Sequence, residues 1–283
     1  MERFPIRYLN NTNSMNDLLL LFSYDFFQKA FLAAVFASIS CGITGTYIVS
    51  RRIVFVSGGI THASFGGIGL AFYLGFNPLV GAVIFAVMSA LGIQFFTKVG
   101  RVREDSSIAI WWSLGMAVGI IFVFITPGYT PNLMSFLFGN ILTVSQSELW
   151  WMFILVTVII IFFAFFYRTI LYIAFDEEFA KAVGLPVSLF NYLIITLIAL
   201  TVVLNIRVVG IILILSLLTI PQATANIFTR DFKKLLVLSS FFAFFGSICG
   251  LLISYYLDIP SGAAIIFTLV IVFGLVKLYK YFF

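Results

Sequence analysis

The feature that most limits what this chain can become is the repeated return of apolar stretches close to 20 residues long. About 20 residues of α-helix rise roughly 30 Å, the thickness of a hydrocarbon core. In lipid no water satisfies backbone amides and carbonyls, so a spanning segment must satisfy its own, as a helix does. The totals agree: of 283 residues, 62% are hydrophobic, 10% are charged and 35 are phenylalanine. That balance excludes a soluble domain, and no polar stretch is long enough to bury a core of its own. The expected fold is an all-α polytopic membrane protein with about nine transmembrane helices, within a range of eight to ten.

Residues 1–25 read as a polar N-terminal segment, without the h-region and small-residue cleavage site of a removable signal peptide. Residues 26–283 read as one transmembrane domain. The expected spans fall near 26–49, 55–74, 79–97, 108–126, 148–167, 187–204, 208–228, 234–256 and 260–279. Gly75-Phe76-Asn77-Pro78 and Pro127-Gly128 punctuate them as turns. Asn132–Val144 is apolar but, at about 13 residues, too short to span, so it is expected as a re-entrant or surface helix. Phe175–Pro186, FDEEFAKAVGLP, has the pattern of a short helix with acidic residues at its start, ended by Gly184 and Pro186.

An odd number of spans puts the chain ends on opposite sides, and lysines and arginines choose the sides. If Arg51 and Arg52 are cytoplasmic, so are Lys98, Arg101, Arg103, Arg168, Lys181, Arg230, Lys233, Lys234, Lys277 and Lys280. That is twelve of the 16 basic residues. The asymmetry predicts a cytoplasmic C-terminus. It also explains the net charge of +5 better than nucleic acid does, and no nucleic-acid partner is expected. Cys41 and Cys249 stand far apart in separate apolar segments and read as small packing residues, with neither a disulfide nor a soft-metal site.

One polar side chain interrupts the apolar runs conspicuously. His62, the sole histidine, lies in Ser57–Gly69, SGGITHASFGGIG. On a helix Gly59, His62, Gly66 and Gly69 fall within roughly 80° of one another, with Gly58 one turn before His62. Such a stripe lets a neighbouring helix approach closely or leaves a cavity open. A polar residue within a span is a functional candidate by default, against the plainer reading of a histidine that hydrogen-bonds a neighbouring helix.

Four pieces, in order, resemble the membrane subunit of bacterial metal-ion ABC importers of the zinc/manganese/iron permease family. Arg51-Arg52 with ITHASFGGIGLAFYLGFNP resembles that family's arginine pair and histidine-bearing second helix. FLFGNILTVS, Phe136–Ser145, resembles its mid-chain motif. FDEEFAKAVGLPV, Phe175–Val187, resembles its cytoplasmic coupling segment. VVGIILILSLLTIPQATANIFTRDF, Val208–Phe232, and SYYLDIPSGAAI, Ser254–Ile265, resemble its C-terminal third. One departure stands out: family members commonly carry aspartate one turn before the histidine, where this chain has Gly58.

The resemblance implies a permease subunit of an ATP-driven importer for a divalent transition metal such as zinc, manganese or iron, in a bacterial cytoplasmic (inner) membrane. Its partners would be a cytoplasmic ABC ATPase, an extracytoplasmic metal-binding protein, a second copy of the chain and membrane lipid. The metal would be substrate, ATP would be used by the partner, and no cofactor would be stably bound. The chain itself has no G-x-x-x-x-G-K-S/T phosphate loop. Nor can one histidine build a clustered catalytic site, so an enzyme is not expected. The implied coupling helix is about 176–185, with Asp176, Glu177, Glu178, Phe179, Ala180, Gly184 and Leu185 meeting the ATPase. His62 is the implied transient metal ligand, and the translocation path is assigned Gly58, Gly59, Thr61, His62, Gly66, Ser216, Pro221 and Gln222. Ser64 and Asn205 are further candidates; each of these polar groups could instead be a helix-packing hydrogen-bonder. Pro221 would free a backbone carbonyl, which a cavity or neighbour must satisfy. Glu148, Asp258 and Arg207 would mark the outer rim. The alternatives are an ABC permease for another solute, such as a metal chelate, or a stand-alone secondary transporter. The latter usually carries several ionisable groups inside its spans.

Overall fold

The computed structural model describes residues 23–127, 139 and 141–282. The polar N-terminal segment and most of the Asn132–Val144 piece lie outside the described residues; of the latter, Ile141–Thr143 form a single 3-10 turn. The helices are α1 (Asp25–Ser50), α2 (Val54–Leu74), α3 (Pro78–Lys98), α4 (Glu104–Ile125), α5 (Gln146–Phe165), α6 (Tyr167–Phe175), α7 (Glu177–Ala182), α8 (Val187–Val209), α9 (Ile211–Leu217), α10 (Ile220–Phe228), α11 (Phe232–Leu257) and α12 (Ser261–Phe282). Nine crossings among the described residues are long and apolar enough to span a membrane, with α9 and α10 together making one.

Local chemistry sets the boundaries. Asn77 accepts a hydrogen bond from the Leu79 amide and Pro78 sits in the first turn, which opens α3 directly after the Gly75 turn. Ser145 and Glu148 form a reciprocal capping box at the start of α5. Between α1 and α2, the Arg52 amide bonds Val49 O and the Ile53 amide bonds Ile48 O at 3.0 Å. Arg52 takes the left-handed position of this tight stop at φ 60°. Three features depart from the sequence reading. α4 begins at Glu104 rather than near 108, because Glu104 and Asp105 favour the positive end of a helix. The stretch after Tyr167 continues as α6, and the seventh span is broken in two.

α2 is the most buried span, packed on α3 and α4, while α1 packs on α5 and α11 and α8 lies against α3. Lipid supplies no hydrophobic drive between helices, so backbone proximity at small residues decides the packing. Gly66 and Gly69 of α2 lie on Gly115 and Gly119 of α4, and Gly67 lies on Gly81 of α3. GMAVG, Gly115–Gly119, thus offers a small-xxx-small face to the glycine stripe of α2. Close helix approach, rather than an open cavity, occupies most of that stripe.

Candidate functional site

His62 lies near the middle of α2, about level with the centre of a span, and is half-buried. Its imidazole stacks on the indole of Trp112 in α4, with centroids 4.4 Å apart and planes within 4°. Trp112 is itself exposed, so the stacked pair looks out from an open face of the chain. No hydrogen bond to His62 occurs among the described residues, and no cluster of three or more His, Cys, Asp or Glu side chains is found among them. The site therefore offers one imidazole, held in orientation by an aromatic face.

The glycines around it divide. A Cβ on Gly59 would run into Ile108, and one on Gly66 would meet Gly115 O at 2.8 Å and Phe85 Cζ at 2.9 Å. At Gly58 a Cβ would meet only Leu215 Cδ2 of α9, at an ordinary 3.7 Å. The one roomy position next to His62 is thus the position where the resembling family carries its carboxylate. Thr61 is buried and its hydroxyl donates to Ser57 O at 2.6 Å; Ser64 donates to Thr61 O at 2.7 Å. Both hydroxyls bond backbone of α2 itself rather than a neighbouring helix.

The break between α9 and α10 has a direct cause. Pro221 has no amide hydrogen to give Leu217 O, the carbonyl four residues earlier. The side-chain amide of Gln222 donates to that oxygen at 3.1 Å and also to Cys41 O of α1 at 2.8 Å. Gln222 is fully buried and fills the notch at Gly45. It serves as a strut across the broken helix, turned away from the open face. Ser216 is half-buried and donates to Ile212 O at 3.1 Å; its neighbour Leu215 is the residue that faces Gly58. Asn205 is buried, donating to Thr201 O at 2.7 Å and Ser40 Oγ at 3.4 Å. Leu215, not Ser216, is the α9 side chain that meets the His62 helix, and Gln222 and Asn205 lie in the core.

The 176–185 segment folds as α7, with Asp176 as its N-cap, accepting from the Phe179 amide at 2.9 Å. Gly184 at φ 78° ends it: its amide bonds Lys181 O, and the Leu185 amide bonds Ala180 O. Ala180 is the buried anchor of the helix, while Phe179 and Val183 are exposed. The two glutamates part company. Glu178 is 85% exposed and pairs with Lys181 at 2.7 Å; Glu177 is 14% exposed. Glu177 meets Arg51 at 2.9 Å, Lys98 at 2.5 Å, Lys181 at 3.6 Å and the Asn191 amide of α8 at 3.4 Å. Burial pushes its carboxyl up, but hydrogen bonds and charge from Lys98 and Arg51 outweigh that and hold it at about 2.

The Glu177 knot also orients the bundle, since it places the ends of α1 and α3 on the same face as α7. Lys280 of α12 bonds Ile227 O at the end of α10, which pairs those two ends in the same way. On the opposite rim Asp258 is exposed and caps α11, whereas Glu148 is turned inward into its capping box. Trp112 was not singled out from sequence, and neither was the pairing of Arg51 and Lys98 with Glu177. Trp112 is one of many aromatic residues on an apolar helix and carries no pattern of its own. Three consecutive acids, Asp176 to Glu178, gave no sign of which one would meet the basic span ends.

The fold and site define a multi-pass helical membrane protein with its single imidazole at mid-span and an ion-paired helix on one face. The family model described as the ABC 3 transport family matches residues 23–280, and the chain belongs to that family. An uncharacterized membrane protein of Synechocystis sp. is 40% identical over 243 residues, 86% of each chain. The manganese transport system membrane protein MntC of Listeria monocytogenes is 35% identical over 259 residues, 92% of each. Among solved structures, PsaBC from Streptococcus pneumoniae in complex with Fab matches with a TM-score of 0.81 and 30% identity, covering 93% of this chain and 94% of that one.

Proposed function

We propose that this chain is the permease subunit of an ATP-driven importer for a divalent transition metal ion, with manganese the leading cargo and zinc and iron the competitors. The observation that carries the reading is the match along almost the whole chain to the manganese transport protein of Listeria monocytogenes. Neutral imidazole is a suitable ligand for first-row metals. A single imidazole with weaker oxygen donors holds an ion loosely enough to release it. His62 sits on an open face rather than inside the bundle. A second copy packed against that face would enclose it and complete the path.

A separate ATPase would dock on α7, whose exposed Glu178, Phe179 and Val183 face away from the bundle. A metal-binding protein would deliver the ion to the opposite rim near Asp258. Reconstituting the chain with its ATPase and binding protein, and following manganese, zinc and iron side by side, tests the cargo. ATP-dependent manganese accumulation is expected. Steady ATP hydrolysis with no accumulation of any of the three would contradict a metal cargo.

A further inference from the structure

The six residues of α7 bury only Ala180, so apolar packing gives this helix a weak hold on the bundle. What ties it down is polar and converges on one carboxylate. Glu177 grips Arg51, the residue that ends α1, and Lys98, the last residue of α3. The second arm of Arg51 donates to Ile173 O of α6 at 2.8 Å, so the α6–α7 limb is held at two points. From Arg51 the chain makes the tight turn through Arg52 and enters α2, where His62 stands about 13 Å along the axis. α2 and α3 are locked together at Gly67 and Gly81. Arg51 leads through that turn into α2 and Lys98 ends α3, so both grips of Glu177 fall at the edge of the α2–α3 pair that carries His62.

Resting on the permease reading, we propose that Glu177 is a positioning residue that transmits motion of α7 to the His62-bearing α2–α3 unit, acting through Arg51 and Lys98. An ion pair suits the task, because it resists being pulled apart while allowing small changes of angle. The carboxyl stays ionised across the physiological range, since its partners hold it at about 2 against the pull of burial. The link therefore does not depend on cellular pH. Glu178, on the same helix, reaches only Lys181 and cannot serve in its place.

The test is the ratio of metal transported to ATP hydrolysed in the reconstituted complex. Glu177→Gln is expected to bind the ATPase as the wild type does but to move about tenfold less metal per ATP. Glu177→Asp, which keeps the charge, is expected to stay within about threefold of wild type. The double variant Arg51→Gln/Lys98→Gln is expected to reproduce the loss. An unchanged ratio in Glu177→Gln overturns the proposal. So does loss of ATPase binding or of folding in that variant, which would make Glu177 part of the dock or the scaffold.

A second readout needs no cargo. Spin labels are placed at exposed Phe175, on the α6–α7 limb but outside the docking residues, and at exposed Phe55, in a Cys249→Ala background; Cys41 is buried and stays unlabelled. The wild-type distance is expected to hold steady between nucleotide-free and ATP-trapped states, and a second distance is expected in Glu177→Gln. If wild type moves no metal but shows this contrast, the cargo reading fails and the transmission role stands. If both chains give the same distances, the transmission role fails whatever is transported.

Discussion

Gly58 and Gly66 stand one turn before and one turn after His62, and the same substitution at each should have opposite effects. In Gly58→Ala the new methyl group meets Leu215 Cδ2 at 3.7 Å, an ordinary contact, and nothing has to move. Alanine in a helix interior is favoured over glycine by about 1 kcal/mol, so this variant should gain up to about that much. In Gly66→Ala the methyl group lands 2.8 Å from Gly115 O, a backbone atom of α4 that cannot rotate away. α2 and α4 must separate by roughly half an ångström, and overpacking of this kind costs about 1–3 kcal/mol. After the propensity gain the net loss should be on the order of 1 kcal/mol. With about 2–4 °C per kcal/mol for a chain of this class, the two variants should differ by about 5 °C in apparent Tm. Thermal denaturation of detergent-solubilised protein, followed by the fraction remaining monodisperse, measures this. Shifts of equal size and sign would refute the packing described for α2 and α4.

The remaining predictions follow from single contacts. Gln222→Glu replaces a donor with an acceptor beside Leu217 O, leaving that buried carbonyl unsatisfied; a loss of about 1–3 kcal/mol is expected in the same thermal assay. Glu177 titrates near 2 when folded against an ordinary 4.5, so folding favours its ionised form. Its stabilisation is full above about pH 5 and is lost as pH falls towards 2. Wild type should therefore lose more apparent Tm than Glu177→Gln between about pH 6 and pH 3, and parallel curves would remove the ion-pair account. Trp112→Ala frees the His62 ring from its stacking partner, and the KM for metal uptake should rise with little change in kcat. Trp112→Phe, which restores an aromatic face, should recover most of the loss.

The spans were legible because each obeys a length rule that the bilayer imposes, and the end of α2, the start of α3, the end of α7 and the start of α8 fall within a residue or two of the turn chemistry at Gly75, Pro78, Gly184 and Pro186. α6 was missed because Arg168 marks the end of the α5 span, and the short apolar piece after it carries no cap to announce a new helix. For the site, sequence located His62 and α7 but could not say which of two adjacent glutamates turns inward. Spacing fixes a helical face; only the neighbours, here Arg51, Lys98 and Asn191, decide what that face meets. The glycine stripe was ambiguous for the same reason. A stripe fits either a cavity or a close helix, and the choice lay in Gly115 and Gly119, 50 residues further along. Gln222 read as a pathway residue because a polar group in a span invites that reading. The sequence implied that Pro221 frees a carbonyl, but that the Gln222 amide is what meets it is visible only in the folded chain.

The most direct test of the account is ATP-driven manganese uptake into vesicles containing this chain, its ATPase and its binding protein, compared with His62→Ala at matched assembly. Uptake in the wild type and its loss in the variant, with ATP hydrolysis retained in both, is the predicted result. Equal uptake in the two would contradict a place for His62 on the metal's path.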